Sequence, residues 1–157
     1  MNLEIERRFL INESNFILPK VKKSIKQGYL FSDSNQALRV RMIEKQYFLT
    51  YKYKKTSINR YEFEYSIPKE DGEKLLSLSE HHIIVKERYY RKIDKHLWEI
   101  DVFHGENEGL IIAEVELEDE KEQINIPNWI GDEISDDEKY FNCNLSKKPY
   151  CHWQLNR

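Results

Sequence analysis

Charged side chains recur at every second position in many segments of this 157-residue sequence. Residues two apart in a β-strand share one face, so residues 3–10, LEIERRFL, place Glu4, Glu6 and Arg8 together. A half-buried strand with one wet face shows the same pattern, so a single segment indicates little. The spacing recurs, however, in Arg39 with Arg41, Lys52 with Lys54, Arg60 with Glu62 and Glu64, Lys86 with Arg88, Glu99 with Asp101, and Glu114 with Glu116 and Glu118.

The sign of these charges is segregated between segments. Some pairs are purely basic, such as Arg39 with Arg41 and Lys86 with Arg88, and others are purely acidic, such as Glu99 with Asp101 and Glu114 with Glu116. Clustered carboxylates repel one another unless a cation joins them, and clustered basic groups repel unless an anion does. A polyphosphate bound together with a divalent metal meets both requirements. The pattern therefore predicts a site for such a ligand.

The residue types narrow the chemistry of that site. Glutamates without a cysteine or histidine cluster make a hard-oxygen site, which suits Mg²⁺ or Mn²⁺ better than zinc. Arginine offers a planar fork to phosphate oxygens and lysine a compact charge. Phosphoryl hydrolysis then needs mainly positioning, charge neutralisation and an oriented water. The sequence has no glycine-rich phosphate loop, which excludes binding of the P-loop kind.

The elements that must position these residues are mostly strands. Alternating segments are separated by turn residues 32–35 and 44–46, while Pro68 opens a short helical segment over 68–80. Residues 127–142 predict one or two helical turns before an irregular tail, and the lysine-rich segment before Gly28 predicts a solvated polar stretch. The charged faces fit either the outside of a sandwich or the inside of a closed barrel, and the segregation of sign favours the barrel.

Composition limits the class of protein. The length predicts a single domain over residues 1–157. The net charge of −3 with 34% charged residues does not indicate a nucleic-acid partner, and no apolar run is long enough to span a membrane. No apolar signal-peptide core follows the N-terminus, and the two cysteines, Cys143 and Cys151, lie late in the chain. These features predict a cytoplasmic protein.

A series of segments spread along almost the whole chain has a recognisable order. These segments are EIERRFL, GYL, LRVR, FLTYKYK, RYEFEY, VKERYY, WEIDVFHGENEGLIIAEVELE, PNWIGDEIS and KYFN. Together they resemble the CYTH superfamily, also called triphosphate tunnel metalloenzymes. The opening segment is similar to the ExExK signature of that superfamily. The resemblance implies an α+β, mostly antiparallel fold: an eight-stranded closed β-barrel forming a tunnel, with a few short covering helices. It is closest to short bacterial members, many of which are inorganic triphosphatases.

Carried onto this sequence, the resemblance implies a divalent-metal-dependent triphosphatase and assigns roles to its residues. The implied metal ligands are Glu4, Glu6, Glu62, Glu114 and Glu116. The implied phosphate-binding residues are Arg8, Arg39, Arg41, Lys52, Lys86 and Arg88. The implied catalytic residues are Arg8, Tyr29, Glu64 and Asp101, with Asp101 either supporting other residues or orienting water. For Lys54, Arg60, Glu99 and Glu118 we expect solvated or salt-bridged strand positions.

Position 8 departs from the signature, which has lysine there. In some members that lysine is proposed to activate water with the tyrosine of the GYL segment, here Tyr29. Arginine is effectively always protonated, so Arg8 cannot act as a general base. Lys139 also stands where the family usually has arginine, which keeps the charge and loses the fork.

Three alternative functions and one structural question stay open at the sequence level. The alternatives are a class IV-type adenylate cyclase, a thiamine triphosphatase and a non-catalytic polyphosphate or nucleotide sensor, the last favoured by Arg8. The aromatic residues Trp129 and Trp153 fit either a homodimer interface or a lid packed on the barrel.

Overall fold

Nine antiparallel strands dominate the structure, a computed structural model that describes residues 2–153. Polar and apolar positions alternate along most of them, so one face turns inward and the other is covered by apolar neighbours. The strands are β1 (Leu3–Ile11), β2 (Lys22–Ser32), β3 (Gln36–Ile43), β4 (Gln46–Lys54), β5 (Asn59–Ile67), β6 (Glu80–Ile93), β7 (His96–His104), β8 (Ile111–Glu116) and β9 (Ile130–Glu133).

Eight of these strands close into a barrel. The order of neighbours is β5-β4-β3-β2-β6-β7-β8-β1, and β1 pairs again with β5, where Leu3 lies opposite Tyr61 and Ile5 opposite Asn59. The ninth strand, β9, pairs with the later part of β1, with Ile11 opposite Ile130. The predicted eight-stranded antiparallel barrel is confirmed, with β9 as an addition to it.

Helices are short and lie at the periphery of the barrel. The two α-helices are α1 (Lys69–Ser77) and α2 (Asn142–Lys147), and 3-10 turns occur at Glu13–Asn15, Gly105–Asn107, Glu138–Tyr140 and Tyr150–His152. Within the described residues no helix has the length and apolar character needed to cross a membrane.

An aromatic cluster covers the outer face of the barrel near β1 and β7. Trp98 is fully buried and packs edge-on against Trp129, with ring centroids 5.6 Å apart. Phe16, from the segment between β1 and β2, packs on the other side of Trp129 at 5.5 Å. Trp153 packs instead on Tyr140 and Tyr150. Trp129 and Trp153 therefore both pack within their own chain, as the residues of a lid on the barrel would.

Two sequence-based element predictions are wrong in part. Residues 127–142 contain strand β9 as well as a 3-10 turn, because the backbone of this segment pairs with the edge of β1 beyond β5. The tail that follows is not irregular throughout, since it includes α2. The lysine-rich segment before Gly28 belongs to β2 from Lys22 onward, although the side chains of Lys22, Lys23 and Lys26 are exposed as expected.

Candidate active site

The inward faces of the barrel strands surround a charged cavity of about 270 Å³. The register sets neighbouring charges side by side: Arg8 of β1 lies opposite Glu114 of β8, and Lys52 of β4 lies opposite Glu62 of β5. The side chains that line the cavity include Glu4, Glu6, Arg8, Tyr29, Asp33, Gln36, Arg39, Arg41, Lys52, Lys54, Arg60, Glu62, Lys86, Arg88, Glu99, Glu114, Phe141, Asn142 and Cys143.

Most of the site residues predicted from the sequence lie in this lining, and three do not. Glu64 lies beside it, where its carboxylate accepts from Arg41 at 3.0 Å and from Thr50 at 2.7 Å. Asp101 is fully buried behind the lining. Glu116 is exposed as a whole residue. Partial burial of its carboxyl group, together with the nearby carboxylates of Glu4 and Glu99, still raises its pKa.

Lys54, Arg60 and Glu99, expected to be solvated or salt-bridged strand residues, form ion pairs with Glu138, Glu6 and Arg88 respectively, and they also line the cavity. Each of these three lining residues lies two positions from a predicted site residue, namely Lys52, Glu62 or Asp101. This spacing places them on the same strand face and is the sequence signal that indicates them. Phe141, Asn142 and Cys143 reach the cavity from the start of α2, and no periodic pattern in the sequence marks them.

Two of the basic side chains, Arg41 and Lys86, are buried more deeply than their acidic partners can balance, whereas acidic neighbours outweigh burial and raise the pKa values of Arg39, Lys52 and Arg88. Burial together with the neighbouring guanidinium groups of Arg39 and Arg88 lowers the pKa of Arg41 to about 10. Burial likewise lowers the pKa of Lys86 to about 8, although Asp101 opposes that effect. Within residues 2–153, the Nε atoms of Arg39 and Arg41 are buried without a hydrogen-bond partner, and the buried Arg8 Nε lies 3.4 Å from the Glu114 carboxylate. Buried donors without acceptors and crowded cations are the features of an anion-binding site.

The carboxylates form a second cluster within the same cavity. Burial and the adjacent carboxylates of Glu114 and Glu4 raise the pKa of Glu6 well above its ordinary value. Glu4 behaves differently: burial would raise its pKa, but Lys52, at 3.0 Å, lowers it to about 2. A cation shared between such groups would relieve their repulsion.

The donor set fits a divalent hard cation, but the carboxylates are now bound to basic side chains. Among residues 2–153, no group of three or more His, Cys, Asp or Glu side chains is already arranged around one metal position. Glu4 is paired with Lys52, and Glu114 with Arg88 at 3.2 Å and Arg8 at 3.4 Å. A metal bound by Glu4, Glu6 and Glu114 would therefore displace ion pairs, and a phosphate could take up the cations that are released.

Arg8 and Tyr29 both line the cavity but have different partners. The guanidinium of Arg8 donates to the carbonyl oxygen of Tyr140 at 3.0 Å and lies over the ring of Phe141. The hydroxyl of Tyr29 accepts from Gln27, and burial raises its pKa. Between these two residues the described structure has no direct hydrogen bond.

Asp101 holds two of the cations in place. One carboxylate oxygen accepts from Arg88 Nε at 2.7 Å, and the other accepts from Arg88 at 3.0 Å and from Lys86 at 2.8 Å. Because both oxygens are occupied and the side chain is 1% exposed, the geometry favours a supporting role over contact with water.

The structure is a closed antiparallel barrel whose lumen joins buried cations with clustered carboxylates. Residues 2–148 match the CYTH domain, and the chain belongs to that family. It is 40% identical to an inorganic triphosphatase of Acetivibrio thermocellus over 151 residues, covering 96% of this chain and 97% of the relative. It is 34% identical to an inorganic triphosphatase of Nitrosomonas europaea over 144 residues, covering 88% and 93%.

A solved structure agrees with this assignment. The chain superposes on the crystal structure of an inorganic triphosphatase with a TM-score of 0.66 and 33% sequence identity, covering 91% of this chain and 93% of the other. The family expected from the sequence segments is confirmed.

Proposed function

We propose that the protein is a divalent-metal-dependent hydrolase of inorganic triphosphate, acting inside the barrel. The observation that carries the proposal is the lumen itself, where, among the described residues, buried guanidinium nitrogens without hydrogen-bond partners share the cavity with carboxylates that repel one another. The similarity to two inorganic triphosphatases across nearly the whole chain supports this substrate over other triphosphate compounds.

In this proposal, the basic residues hold the phosphate chain. Arg39 and Arg41 come from β3 and Lys86 and Arg88 from β6, while Lys52 faces them from β4. Their side chains surround the cavity from several sides, so an extended triphosphate is bound at several points and kept in one orientation. Arg8 contributes a further permanent positive charge beside Glu114.

The acidic residues hold the cation, for which we propose Mg²⁺ or Mn²⁺. Glu4, Glu6 and Glu114 would provide the central oxygen donors; Glu62 belongs to the same lining, and Glu116 lies outside it near Glu4. Bound in this way, the ion supplies charge neutralisation at the phosphate oxygens. Only hard-oxygen side chains are needed, which agrees with the preferences of these two ions.

Water must attack the terminal phosphorus while a bridging P–O bond breaks, releasing orthophosphate and pyrophosphate. Glu64 is our candidate for orienting that water, because both of its protein hydrogen bonds reach the same carboxylate oxygen and leave the other available. Arg41 and other donors outweigh burial and lower the pKa of Glu64, so the carboxylate is ionised near neutral pH and accepts hydrogen bonds. Tyr29 provides a hydroxyl for the phosphate chain, and Asp101 positions Lys86 and Arg88.

The test is phosphate release from inorganic triphosphate, ATP and thiamine triphosphate, each with Mg²⁺, Mn²⁺ or EDTA, with the ATP products also analysed for cyclic AMP. We expect rapid, EDTA-sensitive cleavage of inorganic triphosphate. Arg39→Ala should lose most of this activity, whereas Lys26→Ala, at an exposed position on β2, should retain it. Cyclic AMP formation would indicate a cyclase instead, and tight binding without turnover of any substrate would indicate a sensor.

A further inference from the structure

The start of helix α2 contributes a neutral polar group to the cavity. Asn142 lines the cavity although it belongs to none of the barrel strands. The helix is anchored by Leu145 and Ser146, which are both fully buried. Packing of these two residues against the barrel therefore holds the Asn142 side chain in the cavity.

Hydrogen bonding fixes the orientation of the Asn142 carboxamide. Its Oδ1 accepts from Lys86 Nζ at 2.9 Å and from Gln27 Nε2 at 3.1 Å. A lysine ammonium has no acceptor, so the oxygen of the amide, not its nitrogen, must face Lys86. Gln27 is fully buried, and its amide nitrogen also donates to the hydroxyl of Tyr29 at 3.2 Å.

The amide nitrogen of Asn142 consequently points away from these partners. A carboxamide nitrogen carries two N–H donors. Within residues 2–153 none of them reaches a protein acceptor, while the oxygen of the same group takes two hydrogen bonds. A donor that is free of protein partners and lines a cavity rich in basic residues is suited to a phosphate oxygen.

We propose that Asn142 is a substrate-binding residue that donates from Nδ2 to a phosphate oxygen of the bound triphosphate while its Oδ1 positions the ammonium group of Lys86. This inference rests on the proposed function. A neutral donor has a physical advantage here: it adds a hydrogen bond to the anion without adding another charge to cations that already repel one another.

The experiment measures binding of inorganic triphosphate in EDTA by titration calorimetry, alongside turnover with Mg²⁺. Asn142→Leu removes both the donor and the acceptor at similar volume, whereas Asn142→Asp keeps an acceptor for Lys86 and removes the donor. Asn144→Asp, in the same helix and outside the cavity lining, is the matched charge control. Thermal unfolding of each variant checks that the fold is retained.

We expect Asn142→Leu to bind roughly tenfold or more weakly. We expect Asn142→Asp to bind more weakly still, and Asn144→Asp to bind almost as the wild type does. Binding by Asn142→Asp equal to or tighter than that of Asn142→Leu would overturn the donor role. If the wild type binds triphosphate with this order of variants but does not hydrolyse it, the proposed function fails and the inference about Asn142 stands.

Discussion

Glu6 is the residue whose environment most strongly indicates a cation. Its carboxylate is buried beside Glu114 and Glu4, and burial together with both neighbours raises its pKa. A buried carboxyl group whose ionised form is disfavoured lowers the stability of the protein without its ligand. The presence of Glu6 is therefore better explained by ligand binding than by stability. In our proposal that ligand is the metal.

Changing Glu6 to glutamine separates metal binding from stability. We expect Glu6→Gln to reduce metal-dependent turnover by roughly a hundredfold or more, because an oxygen ligand with its charge is lost. The melting temperature should stay equal or rise, since the repulsion with Glu114 is relieved. Phosphate release and thermal unfolding check both parts, with the exposed Glu118→Gln as control. Full activity with ordinary metal dependence would remove Glu6 from the ligand set.

Position 8 tests whether the site depends on a guanidinium. Arg8→Lys should preserve or raise turnover, because the ammonium keeps the charge and, unlike the guanidinium, can lose a proton. Stability should fall by about 1 kcal/mol, since the hydrogen bond from Arg8 to the Tyr140 carbonyl oxygen is lost. Values of kcat and the free energy of unfolding check these expectations. A tenfold or greater loss of kcat would show that the site is built around the guanidinium.

Lys86 should make anion binding dependent on pH. Burial lowers its pKa to about 8 despite the adjacent Asp101, so the positive charge is present below that pH and is lost above it. We expect the affinity for inorganic triphosphate in EDTA to fall as pH rises from about 7 to about 10. Lys86→Arg keeps the charge throughout this range and should flatten the profile. The same steep fall in that variant would assign the titration to another group.

At the scale of elements, helix α1 depends on a close approach to β4. Gly72 lies in this helix, and a Cβ added there would meet the Cβ of Tyr47 at 2.6 Å. Such a distance is well below van der Waals contact, and the obstacle is the base of the tyrosine side chain, which cannot swing away. The glycine is therefore required by packing and not by a turn.

Gly72→Ala should lower the melting temperature. Alanine normally favours a helix by about 1 kcal/mol relative to glycine, but the overlap with Tyr47 should cost about 1–3 kcal/mol and push α1 off the barrel. Glu73→Ala, at an exposed position of the same helix, is the control and should change little. A higher melting temperature for Gly72→Ala would show that α1 can move without penalty.

How much of this arrangement the sequence reveals depends on the kind of element. Long strands such as β3 and β5 are predictable, because alternation assigns each charge to a face over many residues. β9 has only four residues and is stabilised by its pairing with β1. The six-residue α2 is stabilised by the burial of Leu145. Neither element is long enough to show a periodic pattern of its own. Alternation places Glu99 and Arg60 on the correct faces, but their depth in the cavity depends on strand stagger, which alternation does not encode.

At the scale of the whole molecule, closure of the barrel ties distant parts of the chain into one unit. β1 pairs with β8 on one side and with β5 on the other, so losing either contact opens the barrel. We propose that residues 1–157 form a single domain that unfolds cooperatively. The described aromatic clusters lie on the barrel and not in a separate body, which supports this.

Cooperative unfolding has a direct test with two probes. Tryptophan fluorescence reports on Trp98, Trp129 and Trp153, whereas far-ultraviolet circular dichroism reports on the strands. We expect denaturation curves from the two probes to coincide in midpoint and slope. Separate midpoints would show that part of the chain unfolds independently and would contradict the single domain.

The pairing of β1 also has a consequence during protein synthesis. The amide of Arg8 finds its partner, the hydroxyl of Ser135, 127 positions further along the chain. At ordinary translation speeds the ribosome needs about 10 s to make that length, so the later part of β1 lacks this partner meanwhile, although Leu3 and Ile5 can already pair with β5. An unpaired strand edge invites aggregation, and charged side chains along it counter that tendency. We expect the charges of Glu4, Glu6 and Arg8 to limit such aggregation of the nascent chain.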